Sequence, residues 1–168
     1  MTRATYLIAL GSNRPGRHGG PAAAIGAALA AIGGVVIASP VIATPPLGPS
    51  IRRFANAAAL IESDEAPPEL LARLKRIERA MGRRRGRRWG ARAIDIDIIA
   101  WSGGIWRART LMVPHPAFRQ RDFVLRPVAR IAPDWRDPVT GLTMRQLERR
   151  LTRARPMPRR AAADGRGP

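Results

Sequence analysis

Asp95 and Asp97 stand two residues apart among Ile94, Ile96 and Ile98, and an arginine-rich run from Gly82-Arg83-Arg84-Arg85 to Arg88-Trp89-Gly90-Ala91-Arg92 leads straight into them. Strict alternation of branched apolar residues with carboxylates is the period of a half-buried strand, so both aspartates should leave one face. Carboxylate oxygens are the ligands magnesium prefers. Two such cations can neutralise a polyphosphate and hold attacking and leaving oxygens in line. Guanidinium forks would grip the remaining phosphate charge. A solvated strand face could show the same alternation, but aspartate is a poor strand former, and two of them in an isoleucine-rich strand call for a reason.

A second pair could serve a flat ligand, although Phe54 taken alone is more often a core residue. Phe54 and Asn56 are two apart in an apolar run, so they share a strand face, one offering a π-surface and the other a donor and an acceptor. A heterocycle uses that combination.

These residues need a scaffold. Thr5 to Leu10 reads as a short strand ending at Gly11-Ser12-Asn13, and Pro21 opens an alanine-rich helix to about Ile32. Val35 to Ala43 reads as one strand, Thr44 to Pro49 as a stiff loop, and Phe54 to Glu62 as a third strand. Leu70, Leu74, Ile77 and Met81 fall on one helical stripe stopped at Gly82, and the aspartate strand follows. The order β-α-β-β-α-β predicts an α+β fold, a ferredoxin-like sandwich with helices on one face of an antiparallel sheet and the opposite face free for a site. Additional C-terminal elements are expected: a hairpin around Gly103-Gly104, an irregular helical stretch from Phe123 to Ile131, and a last helix over Thr143 to Leu151. The predicted catalytic domain is 1–151, and 152–168, without apolar period, is expected to be a disordered basic tail.

Composition narrows the function classes. The chain has 168 residues, no cysteine and a net charge of +18, so a single domain without a disulfide framework or thiolate metal site is expected. Lys75 is the only lysine among 30 basic residues, a bias that reads as coding composition rather than function, so each arginine taken singly is weak evidence. Such charge attracts polyanions loosely, so nucleic acid is expected only as a non-specific partner. A basic RNA-binding sheet is the alternative class, but Asp95 and Asp97 on its best-placed strand would repel a phosphate backbone. After Ala4 to Leu10 comes Gly11-Ser12-Asn13-Arg14 instead of a cleavage site, and Gly33-Gly34 and Pro40 break the uncharged stretch from Pro21 to Pro49. A monomeric cytoplasmic protein with no membrane contact is expected.

Several islands combine: Ala9-Leu10-Gly11-Ser12-Asn13, Thr44-Pro45-Pro46-Leu47-Gly48, Phe54-Ala55-Asn56-Ala57, the arginine run with its aspartate strand, Pro114-His115-Pro116, and Arg121-Asp122-Phe123-Val124-Leu125. Over residues 4 to 151 their order and spacing resemble the 6-hydroxymethyl-7,8-dihydropterin pyrophosphokinases of folate biosynthesis. The resemblance implies transfer of pyrophosphate from ATP to the pterin hydroxymethyl oxygen, with AMP released. It implies two Mg2+ ions on Asp95 and Asp97, and catalytic arginines at Arg83 and Arg92. Contacts to ATP are implied for Arg85, Trp89, Ile98, His115 and Arg121, and contacts to the pterin for Thr44, Leu47, Phe54, Asn56 and Phe123. The chain departs from the family pattern in a loop one residue shorter between Thr44 and Phe54, in Ala91 where the family has proline, and in Met112 where threonine is common.

Overall fold

The computed structural model describes residues 3–45, 53–82 and 93–153. Its central strand, β1 (Ala4–Ser12), pairs antiparallel on one side with β4 (Phe54–Ser63) and on the other with β5 (Asp95–Trp101). Two short strands, β2 (Val35–Ala38) and β3 (Ile42–Thr44), both pair antiparallel with β4. The sheet order is β2-β4-β1-β5, which leaves β5 on an edge.

Alternation in β1 divides the core between two layers. Tyr6, Ile8 and Leu10 point into a cluster with Ile25 and Ala28 of α1 (Pro21–Ile32) and Leu70 and Leu74 of α2 (Pro67–Ala80). Leu7 points the other way, with Ala58, Ile99 and Ala100, against Leu125 and Val128 of α3 (Asp122–Ile131) and Met144 and Leu147 of α4 (Met144–Thr152). The face expected to be free is thus partly covered by the two C-terminal helices, because Leu7 and Leu60 on that side need apolar partners. At one end of that face the strands carry Asp95, Gly11 and Asn56.

The single strand expected from Val35 to Ala43 is two. Pro40 cannot donate to a ladder. Beside it the Ser39 main chain donates to the Ala58 carbonyl at 2.8 Å, and the Ser39 hydroxyl accepts the Ala58 N–H at 3.0 Å. A side chain thus replaces one ladder bond where the strand breaks. The turn at Gly103-Gly104 closes on Trp101, and the two-stranded hairpin lies just beyond, between β6 (Trp106–Ala108) and β7 (Leu111–Val113). Helix α3 runs unbroken through Pro127, which has no N–H to donate within it. Thr143 caps α4, its hydroxyl accepting the Gln146 N–H while the Gln146 side chain accepts the Thr143 N–H. Residues 154–168, most of the expected tail, lie outside the described residues.

Candidate functional site

Strand register assembles the site. Asp95 lies opposite Gly11 and Gly11 opposite Asn56, while Asp97 lies opposite Ala9 and Ala9 opposite Ala58. Residues directly opposed in antiparallel strands share a face, so the aspartates and Asn56 look out on the same side. Ile94, Ile96 and Ile98 are buried on the other. Between the two carboxylates and Asn56 the floor is made of small residues. A Cβ on Gly11 would come within 3.3 Å of Asn56 Oδ1.

β3 orients Asn56, whose side-chain amide donates to the Thr44 hydroxyl at 2.8 Å. Phe54 lies opposite Thr44, two residues along the same ladder from Asn56, and so shares its face. Over this end of the sheet the start of α3 brings Arg121, its guanidinium 5.9 Å from the centre of the Phe123 ring. His115 is tied to β5 by its main chain, which donates to the Ile99 carbonyl at 2.9 Å, and its Nδ1 accepts the Ala117 N–H at 3.2 Å. Burial, the largest influence, holds this imidazole below its usual pKa; Asp97 and then Asp95 pull it up, while Arg121 and Lys75 reinforce burial. A neutral ring accepting at Nδ1 carries its proton on Nε2, which leaves that N–H as a donor.

Of the residues singled out from sequence, the structure brings Asp95, Asp97, Thr44, Phe54 and Asn56 to one end of one sheet face, with His115, Arg121 and Phe123 on the segments packed beside it. The Ile98 side chain belongs to the opposite core, so its main chain is what could meet a ligand. Arg83, Arg85, Trp89, Arg92 and Leu47 lie outside the described residues. The boundary of the arginine run is nevertheless anchored: Ser12, fully buried, donates from its hydroxyl to the Ala93 carbonyl at 2.6 Å.

Sequence reasoning missed two residues of α2. Glu78 is 1% exposed and its Oε1 accepts the Ile96 N–H at 2.7 Å. Lys75 Nζ lies 2.7 Å from the same carboxylate oxygen, 3.0 Å from the Ile96 carbonyl, and 3.9 Å from one oxygen of each of Asp95 and Asp97. A signal was present: Glu78 continues the spacing Leu70, Leu74, four residues apart, that defines the buried stripe.

Among the described residues no group of three or more His, Cys, Asp or Glu side chains is arranged to hold a metal. That donor set still fits magnesium, which dehydrates reluctantly and is held by one or two carboxylates together with substrate phosphates.

A sequence model of the family described as 7,8-dihydro-6-hydroxymethylpterin-pyrophosphokinase matches residues 7–133. The chain belongs to this family. It is similar to three proteins named 2-amino-4-hydroxy-6-hydroxymethyldihydropteridine pyrophosphokinase. It is 44% identical over 140 residues to that of Methylorubrum extorquens, covering 80% of this chain and 85% of the relative. For Haemophilus influenzae the match is 39% over 136 residues, covering 77% and 82%. For Synechocystis it is 41% over 100 residues, covering 60% of this chain and about half, 51%, of the relative. A solved structure of Plasmodium falciparum HPPK-DHPS shares the fold with a TM-score of 0.66 at 14% identity, over 89% of this chain and 44% of that one.

Proposed function

We propose that the chain transfers the pyrophosphoryl group of ATP to the hydroxymethyl oxygen of 6-hydroxymethyl-7,8-dihydropterin in a magnesium-dependent step of folate biosynthesis. The observation that carries this reading is the pair of rows Asp95–Gly11–Asn56 and Asp97–Ala9–Ala58, which put two carboxylates and an oriented carboxamide on one face with small residues between them. In the proposed reaction the hydroxymethyl oxygen attacks the β-phosphorus, the bond from that phosphorus to the oxygen bridging it to the α-phosphate breaks, AMP leaves, and the hydroxyl proton is released. Bound on Asp95 and Asp97, two magnesium ions would supply charge neutralisation and hold the phosphate oxygens in line.

The chain's own residues would do the rest. Asn56, fixed by Thr44, and the rings of Phe54 and Phe123 would hold the pterin flat, with the Leu47 main chain adding hydrogen bonds. His115, neutral, would donate from Nε2 to a phosphate oxygen, and Arg121, Arg85 and Trp89 would hold the nucleotide beside the Ile98 main chain. Arg83 and Arg92 would stabilise the charge that builds on the transferred group, since phosphoryl transfer relies on positioning and electrostatics. The same reading takes the fold as a ferredoxin-like βαββαβ sandwich and the protein as a cytoplasmic monomer. One assay tests the chemistry: with ATP, magnesium and the dihydropterin alcohol the nucleotide product should be AMP, and ADP or no turnover would reject the assignment.

A further inference from the structure

The clasp on β5 is more than a helix docked against a strand. As an edge strand β5 would leave the Ile96 N–H and C=O unpaired, and Glu78 and Lys75, three residues apart on α2, take one each. Ile96 is the residue between the two aspartates. The clasp therefore fixes the backbone that sets their separation, and it carries an ammonium 3.9 Å from an oxygen of each. That distance is too long for a hydrogen bond and short enough for strong Coulomb attraction, because Asp95 and Asp97 are only about a third exposed at 26% and 34% and Lys75 is 30% exposed. Two of the three ammonium protons are accounted for by Glu78 and Ile96, which hold the charge at this spot.

We propose that Lys75 is a resident counter-ion of the Asp95/Asp97 pair, a positioning residue that lessens the repulsion between the carboxylates and weakens their hold on bare divalent cations. This inference rests on the magnesium reading above. The ammonium shares the carboxylates' attraction and repels an incoming dication. A cation already coordinated by a polyphosphate brings compensating negative charge and is repelled far less. The site thereby favours the metal–nucleotide complex over the free ion.

The single lysine makes the test specific, since labelling lysine with 13C and 15N gives one side-chain reporter. On adding Mg2+ to the full chain, the Lys75 Cε and Nζ resonances should move together with the Asp95 and Asp97 amides, and sodium chloride at equal ionic strength should not reproduce the change. Lys75→Gln, which keeps an amide donor and removes the charge, should bind Mn2+ about tenfold more tightly in the absence of nucleotide, measured by electron paramagnetic resonance. Unchanged or weaker Mn2+ binding by this variant would overturn the proposal. So would amides that respond to Mg2+ in the parent while Lys75 stays still, a result that decides the matter even if the variant does not fold. If the parent bound no divalent ion with or without nucleotide, the magnesium reading would fall and this inference with it.

Discussion

Asp97 is held by neighbours that tolerate its amide in shape but not in charge. It stands two residues before Ile99, where the register of β5 against β1 shifts, and no neighbour in its ladder is larger than Ala9 and Ala58. Asp97→Asn should therefore fold, as judged by circular dichroism, yet lose most AMP-forming turnover at moderate magnesium, because an amide lacks the anionic charge the ions require. Near-normal activity in a folded variant would sink the metal role. The aromatic residues make a different claim. Phe54 shares a face with Asn56, and Phe123 packs partly against the second core cluster while its ring also meets Arg121. Removing either ring should weaken pterin binding by about 1 to 3 kcal/mol and leave binding of an unreactive ATP analogue nearly intact. Calorimetric titration with each ligand separates the cases, and equal losses for both would mean the rings serve only packing.

At the scale of elements, local patterns were legible and remote partners were not. Alternation at Asp95 and Asp97 is a property of five consecutive residues, and it gave their common face correctly. The helical stripe from Leu70 to Met81 likewise reported α2. Nothing local says that Glu78 caps a strand residue 18 positions later, or that α3 and α4 return over Leu7. Nor does sequence period show how the last segment is secured. Asp137 is fully buried and accepts two hydrogen bonds from Arg119 at 2.6 and 2.7 Å, with others from Thr140 and the Val139 main chain. This clamp ties the turn that precedes α4 to the 3-10 turn Phe118–Gln120 before α3. Burial, the largest influence, pushes the Asp137 pKa up, but the bonds from Arg119, Thr140 and Val139 outweigh it and hold the carboxyl below its usual value. A depressed folded pKa gives stability that is present above the unfolded carboxylate range and is lost as pH falls through the folded value. Asp137→Asn should cost about 3 kcal/mol near neutrality, the scale of breaking a buried pair, and the loss relative to the parent should shrink in acid. Urea denaturation at two pH values measures both.

Across the whole molecule, charge and architecture separate. Residues 154–168 contribute four arginines against one aspartate to a net charge of +18, and the last described helix ends at Thr152. Ending the chain after Arg153 should leave melting temperature and turnover almost unchanged while weakening low-salt attraction to nucleic acid, which filter binding at two salt concentrations would register. A large loss of activity at fixed ionic strength would mean that the segment docks on the body. The rows of the sheet carry a metric consequence. Asp95 and Asn56 sit on strands separated by one other, and adjacent strands lie about 4.8 Å apart, so the distance from the carboxylates to the carboxamide is set in whole strand spacings, about 10 Å in all. Such a distance cannot drift by fractions. A one-residue slip of β5 would turn both aspartates into the isoleucine layer, and an added or lost strand would change the span by half. The reach between a ring held on one side and a phosphorus held on the other is gauged by the hydrogen-bond lattice itself, so tolerance for a longer or shorter arm would have to come from the loops.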